Sequence, residues 1–307
     1  MPYKPLLCFI GLFILFCSCE RSVEVKREKI SGIELAYYTR GTGEPLIMIM
    51  GFKGTMGEWD PALLETLEKK YTLILFDNRG AGLSSDSVEN HTSISQMADD
   101  TVQLIKSLGY SKAHILGWSM GSRIAMAIAM KYPESVDTLI LSSPNPGGSH
   151  IAKRTTDDFK RLTKAESKEE ILSLLFPDSE EGKLAASELN KRLKVAVMDG
   201  ESPNDFEIPP RTVERQKQAM ENWDQNNEIF DELAKINRPT LVTGGLADRI
   251  DPIENVRIVA SQIPYAWAAY FPFAGHYFIS QDYINFSELL FAFTEAHKQK
   301  SENQLNK

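Results

Sequence analysis

A hydroxyl flanked by glycines is the first feature of this sequence that could do chemistry. Ser119 lies between Gly117 and Gly121 in HILGWSMGSRIAMAIAM, residues 114–130. The pattern G-x-S-x-G falls between an apolar run that reads as a buried strand and an Ala/Ile/Met-rich run that reads as a helix. A tight strand-to-helix turn would expose the hydroxyl at the sheet edge. Side chains two residues before and after would collide there, so both places call for glycine. At the helix start, the free N–H of Met120 and the helix dipole could stabilise an oxyanion. Serine is also a favoured helix N-cap, so the pattern by itself does not define a nucleophile.

A serine hydroxyl is weak without a neighbouring base, and the chain offers five histidines. His91 lies in a polar loop, His114 opens the strand leading to Ser119, His150 opens a charged helical block and His297 lies near the end of the chain. His276, in FPFAGHYF, stands just after the last strand-like run, with Gly275 beside it. Strand C-terminal ends share one edge of a parallel sheet, so His276 is the histidine placed to reach Ser119. A carboxylate must then orient the imidazole and stabilise its charged form. GGLADRIDP, after the strand-like PTLVT, offers Asp248 and Asp251.

These residues need a frame. LIMIM (46–50), YTLILFD (71–77), HILGW (114–118) and VDTLILSSP (136–144) read as buried strands, and PTLVTGG (239–245) and AWAAYFPF (266–273) as two more. Helical patterns alternate with them: SISQMADDTVQLIKSLG (93–109) sets Ile94, Met97, Ala98, Val102, Ile105 and Leu108 on one stripe. This alternation predicts an α/β fold with a mostly parallel, twisted sheet flanked by helices. Residues 22–40 read as two short strands around Ser31-Gly32. The core is expected in two parts, 31–146 and 236–297, interrupted by a charged helical cap at 147–235. Residues 19–30 would supply a tether and the first strand, an amphipathic helix would run from about 280 to 297, and 298–307 would form a frayed tail.

With Ser119, Asp248 and His276 in that chain order, the sequence resembles the α/β-hydrolase fold family from about residue 30 to 297. Asp77, Arg79, Gly80, Gly82 and Ser84 in FDNRGAGLSS match a family loop, with Arg79 read as a structural ion-pair partner. The spacing Gly245-x-x-Asp248-x-x-x-Pro252 resembles the family's acid loop and favours Asp248, leaving Asp251 as a cap for the following helix. IMGFKGTMGEW resembles the oxyanion loop, with Met50-Gly51 where many members have His-Gly. The resemblance implies Phe52 and Met120 backbone N–H groups as oxyanion donors. Lys53 reads as a solvated lysine near the site mouth, with a preference for an anionic substrate as the alternative reading.

The resemblance further implies a serine hydrolase that needs no metal or organic cofactor. It would cleave a small or medium ester-type small molecule through an acyl-enzyme. Lactone hydrolysis, C–C bond hydrolysis and aminopeptidase activity use the same triad and stand as alternatives. A non-catalytic binding lipoprotein that kept the fold is the reading outside this class. A serine nucleophile, rather than aspartate, argues against the dehalogenase and epoxide-hydrolase branches. The apolar cap residues Leu172, Leu174, Leu175, Phe176, Val195, Met198, Met220, Trp223 and Phe230 are expected mostly to pack the cap, with a few lining an acyl pocket. Trp118 and Trp223 are the pocket candidates.

The totals agree with one large domain: 307 residues, 42% hydrophobic, 25% charged, net charge −8. Without a basic surplus, nucleic acid is not an expected partner. The N-terminus differs from the rest. Lys4 precedes an apolar run from Pro5 to Cys17, too short for a membrane span and suited to a secretory signal, residues 1–18. FCSC resembles the bacterial lipoprotein box, which implies export, lipidation of Cys19 and attachment to a lipid bilayer with the domain facing water. All three cysteines (Cys8, Cys17 and Cys19) lie in this segment, so a disulfide framework is not expected in the folded part.

Overall fold

The computed structural model describes residues 23–87 and 92–305. The signal segment, Cys19 and His91 lie outside the described residues. β1 (Lys26–Ile30) and β2 (Ile33–Arg40) form the hairpin expected around Ser31-Gly32. Those two residues have φ of 51° and 78°, the left-handed pair that a two-residue hairpin turn requires. β3 (Glu44–Ile49), β4 (Tyr71–Phe76), β5 (Ala113–Trp118), β6 (Val136–Ser142), β7 (Thr240–Gly245) and β8 (Ala266–Phe271) follow. The sheet order is β1-β2-β4-β3-β5-β6-β7-β8, parallel from β4 to β8, with β1 and β2 added antiparallel at one edge.

The apolar runs form central strands because both sheet faces are covered. In β3 and the residue after it, Ile47 and Ile49 pack on one face, and Leu46, Met48 and Met50 on the other. All five are buried, and each such side chain stabilises the fold by roughly 1.5–3 kcal/mol. On the first face lie α2 (Ile94–Ser107), α3 (Met120–Lys131) and α9 (Ile253–Gln262). On the second lie α1 (Pro61–Leu67), α10 (Phe278–Gln281) and α11 (Tyr283–Leu305). The helix expected to end near 297 therefore continues to Leu305, and the stretch read as a tail is helical in that part.

Five helices fill the interruption between β6 and β7: α4 (Asp158–Lys164), α5 (Lys168–Leu175), α6 (Glu180–Met198), α7 (Pro210–Gln225) and α8 (Glu228–Leu233). They do not act as one roof. Leu162 of α4, Leu172 and Leu175 of α5 and Leu189 and Leu193 of α6 pack over the second face beside Met50 and Trp118. Ala219, Met220 and Trp223 of α7 and Leu233 of α8 pack on the first face with α3.

Strand order reverses at β3, with β4 on one side and β5 on the other. The crevice beyond the C-terminal ends of strands at such a switch point is where open α/β sheets place their ligands. The loops after β3 and β5 flank it. No helix among the described residues is long and apolar enough to cross a membrane.

Candidate active site

Ser119 sits between the last residue of β5 and the first of α3, with φ 57° and ψ −117°. A non-glycine residue in that region costs roughly 1–3 kcal/mol and persists only where its surroundings hold it. Here the Ser119 N–H donates to the Ser142 carbonyl at 2.8 Å, and the Ser119 carbonyl accepts from Ser122 N–H at 2.9 Å. The flanking glycines are required by contact. A Cβ on Gly117 would stand 2.2 Å from the Gly121 carbonyl oxygen, and one on Gly121 would stand 2.0 Å from that of Ile49. Without them the turn could not close against β3.

His276 reaches this serine from the loop after β8, with its Nε2 2.8 Å from Ser119 Oγ. Its Nδ1 lies 2.8 Å from Asp248 Oδ2. Asp248 is fixed from the other side: its Oδ1 accepts the N–H groups of Ile250 at 2.8 Å and Asp251 at 3.0 Å. The three residues named from chain order thus form one hydrogen-bonded relay, in which a proton can pass from hydroxyl to imidazole beside a buried carboxylate. Ser119 is 7% exposed and His276 1%, so bulk water does not compete for these bonds.

Two contacts of the relay are invisible in the motif pattern. Ser143, just past β6, donates its hydroxyl to Asp248 Oδ2 at 3.0 Å, and its Oγ is 3.3 Å from the His276 carbonyl oxygen. The signal that could have found it is positional: SSP ends a strand whose neighbours end in Ser119 and the Asp248 loop. Trp118 donates its indole N–H to the His276 carbonyl at 2.9 Å and packs against Tyr277 with ring centroids 4.2 Å apart. It braces the histidine loop as well as facing the pocket.

Met120 is the first residue of α3, where backbone N–H groups have no intrahelical partner. Phe52 lies in the loop after β3. Among the described residues, neither N–H group has a hydrogen-bond acceptor. A cavity of about 200 Å³ is lined by Phe52, Trp118, Leu172, Leu175, Leu193 and Tyr277, with Lys53, Glu58, Glu166 and Lys168 adding charge. Burial pushes the Glu58 carboxyl above the usual range, and Lys168, 3.6 Å away, works against that shift.

Three expected placements differ. Trp223 is not in this cavity: it lies on the opposite sheet face, its indole N–H donating to the Asn145 carbonyl at 3.2 Å. Its helix packs on the face that α2 and α3 cover, which a count of apolar residues could not reveal. Asp251 caps no helix. It is buried between Arg154 at 3.0 Å and Arg123 at 3.7 Å, with Asn145 donating at 3.2 Å. Burial raises its carboxyl, but the two guanidinium groups outweigh that and hold it below the ordinary range. Lys53 is not a solvated lysine, since its ammonium is bonded to cap carbonyls. Of the cap's apolar residues, Val195 and Met198 face outward, 54% and 83% exposed.

Among the described residues, the other histidines, His114, His150 and His297, have structural partners. His114 Nδ1 is 2.8 Å from Thr138 Oγ1, and His150 stacks on Phe230 at 3.7 Å. Arg79 holds Asp100 through two buried hydrogen bonds of 2.7 and 2.8 Å, as its reading as an ion-pair partner required.

The fold and the strand-to-helix serine turn define the class. The chain belongs to the alpha/beta hydrolase fold family, whose model matches residues 44–282, and it is a hydrolase. It is similar to the "Putative carbamate hydrolase RutD" of a Caulobacter species, 27% identical over 243 residues that cover 76% of this chain and 84% of the relative. Among solved structures it resembles an alpha/beta hydrolase fold protein from Chitinophaga pinensis: TM-score 0.78, 26% identity, covering 88% of this chain and 97% of that one. The fold is also shared with a thermophilic esterase from Thermogutta terrifontis: TM-score 0.70, 23% identity, covering 89% of this chain and 99% of that one.

Proposed function

We propose that this hydrolase cleaves a small or medium ester through an acyl-enzyme formed on Ser119. The observation that carries the reading is the relay Ser119–His276–Asp248, with both of its hydrogen bonds at 2.8 Å, placed beside a cavity with an apolar wall and a charged rim. Ser119 Oγ attacks the carbonyl carbon as its proton moves to His276 Nε2. The carbonyl oxygen takes the negative charge and is held by the N–H groups of Phe52 and Met120. Each such donor contributes roughly 10²–10³ in kcat. Collapse of the tetrahedral species expels the alkoxide, which takes the proton from His276. Water then attacks the acyl-enzyme, giving its proton to His276, and the carboxylic acid leaves as Ser119 recovers its proton. Asp248 stays ionised and stabilises the imidazolium.

The volume of the cavity and the apolar part of its lining favour a short or medium acyl chain. The name of the Caulobacter relative sets a second substrate class, a carbamate, whose carbonyl the same relay would attack. The test is labelling by a fluorophosphonate, beside hydrolysis of p-nitrophenyl esters of increasing acyl length and of a p-nitrophenyl carbamate. Labelling and hydrolysis that disappear together in Ser119→Ala are expected. A folded wild-type protein that neither labels nor turns over any of these substrates would sink the mechanism.

We also propose that the chain is exported and anchored to a lipid bilayer through a lipidated Cys19, on the strength of its N-terminal segment. Incorporation of tritiated palmitate and membrane retention, both lost in Cys19→Ala, are expected. A soluble, unlabelled wild-type protein would overturn this.

A further inference from the structure

Gly51-Phe52-Lys53-Gly54 is a tight turn closed by the Gly54 N–H donating to the Gly51 carbonyl at 3.2 Å. Lys53 occupies its third position with φ 58°. Turns with a positive φ there select glycine or asparagine, so a lysine works against the local backbone. Both its backbone N–H and its ammonium are engaged. The Lys53 N–H donates to Gln216 Oε1 of α7 at 3.2 Å. Its ammonium lies 2.8 Å from the carbonyl oxygen of Ala165, 3.1 Å from that of Thr163 and 3.4 Å from that of Leu162. These are carbonyls at the C-terminal end of α4, which an ammonium with three donors can satisfy while opposing the negative end of the helix. The same ammonium lies 5.5 Å from the centroid of the Phe52 ring.

We infer that Lys53 and Gln216 are positioning residues that couple the helical cap to the oxyanion donor Phe52. The inference rests on the acyl-transfer reading above. Gln216 fixes the plane of the Phe52–Lys53 peptide and so removes rotation about the bond next to the donor. The ammonium fixes the other end of the residue to α4. The turn is thereby pinned by two cap helices that lie on opposite faces of the sheet. Gln216 is completely buried, and its amide oxygen is committed to this one backbone N–H. If the cap shifts, the Phe52 N–H turns away from the position the oxyanion will occupy, while the triad, built on other loops, stays in place.

A group that acts only on the oxyanion should change the transition state more than the ground state. The experiment compares wild type, Lys53→Met, Lys53→Arg, Gln216→Leu and Ser119→Ala with p-nitrophenyl butyrate as substrate and butylboronic acid as tetrahedral probe. Misplacement near a reacting centre costs up to about 100-fold. Lys53→Met and Gln216→Leu are expected to lower kcat at least about 10-fold, raise the boronic acid inhibition constant by a similar factor and leave KM within about twofold. Lys53→Arg keeps a cation facing the α4 carbonyls and should recover part of the loss. Fluorophosphonate labelling of wild type and its absence in Ser119→Ala keep the underlying reading separate: a wild type that does not label overturns that reading and this inference with it. With wild type labelled, a folded Lys53→Met whose kcat and boronic acid affinity are unchanged, or whose loss lies in KM alone, overturns the inference. Should Gln216→Leu fail to fold, Lys53→Met decides by itself.

Discussion

The strand-end loops and the helical cap are held in place by different physics. Ser119, Ser143 and Asp248 lie one to three residues past the ends of parallel strands, and their positions follow from a sheet buried on both faces. The cap adds, to its own apolar contacts with the core, a set of charged joints. Arg192 of α6 holds the buried Asp60 at 2.6 and 2.8 Å. Arg123 of α3 lies 3.4 Å from Asp224 of α7, and Arg154 bonds Asp251 and the Ile250 carbonyl. Apolar packing is non-directional, and here it fixes a frame that backbone hydrogen bonds then register. Ion pairs are directional and few, and they set where the cap sits on that frame. The difference suggests that damage to the frame should appear in the chemical step or in folding, and damage to the joints in stability and in how the cap meets the core.

Four substitutions would break or sharpen that contrast. Ser119→Ala is expected to lower kcat/KM by about 10⁴–10⁶, with no fall in melting temperature, read by ester hydrolysis and thermal denaturation. Asp248→Asn removes the carboxylate that orients His276 and should cost about 10⁴ in kcat. A loss of less than tenfold would mean that Asp251, rather than Asp248, supplies the charge. Arg123→Met leaves Asp224 and Asp251 facing Arg154 alone. Breaking a buried pair costs roughly 3–5 kcal/mol, so urea denaturation should show a large loss of stability while the folded fraction still labels with fluorophosphonate. Trp223→Phe removes one hydrogen bond on the flank, worth about 1 kcal/mol. Its acyl-chain profile should match that of wild type, since Trp223 is outside the cavity, and a shifted profile would put α7 back over the site.

The frame was legible because its signals are local. LIMIM and HILGW read as central strands since each is buried on both faces, and Gly117 and Gly121 mark the serine turn through contacts that no side chain could survive. Chain order with a family resemblance then favoured Asp248 over Asp251. The joints were not legible, for a reason visible in three residues. Lys53 reads as a solvated lysine and Asp251 as a helix cap, Gln216 carries no motif, and each is fixed by a partner more than 100 residues away. No periodicity encodes such pairings. Trp223 failed for a related reason: an amphipathic helix states that it has an apolar face, not which face of the sheet will cover it.

The cap enters and leaves between β6 and β7, neighbours in the sheet with Ser142 paired to Thr243. Seen as a problem of engineering, that makes the part over the cavity an interchangeable unit. Residues 152–208, holding α4, α5 and α6, could be exchanged for another segment while α7 and α8 keep their seats along α3. The exchange carries interface requirements: the incoming segment must present a helix end whose carbonyls can receive the Lys53 ammonium, and cations for the buried Asp60 and Asp251 in place of Arg192 and Arg154. A graft chosen only for the shape of its pocket would leave the Lys53 cation stranded in a half-buried site.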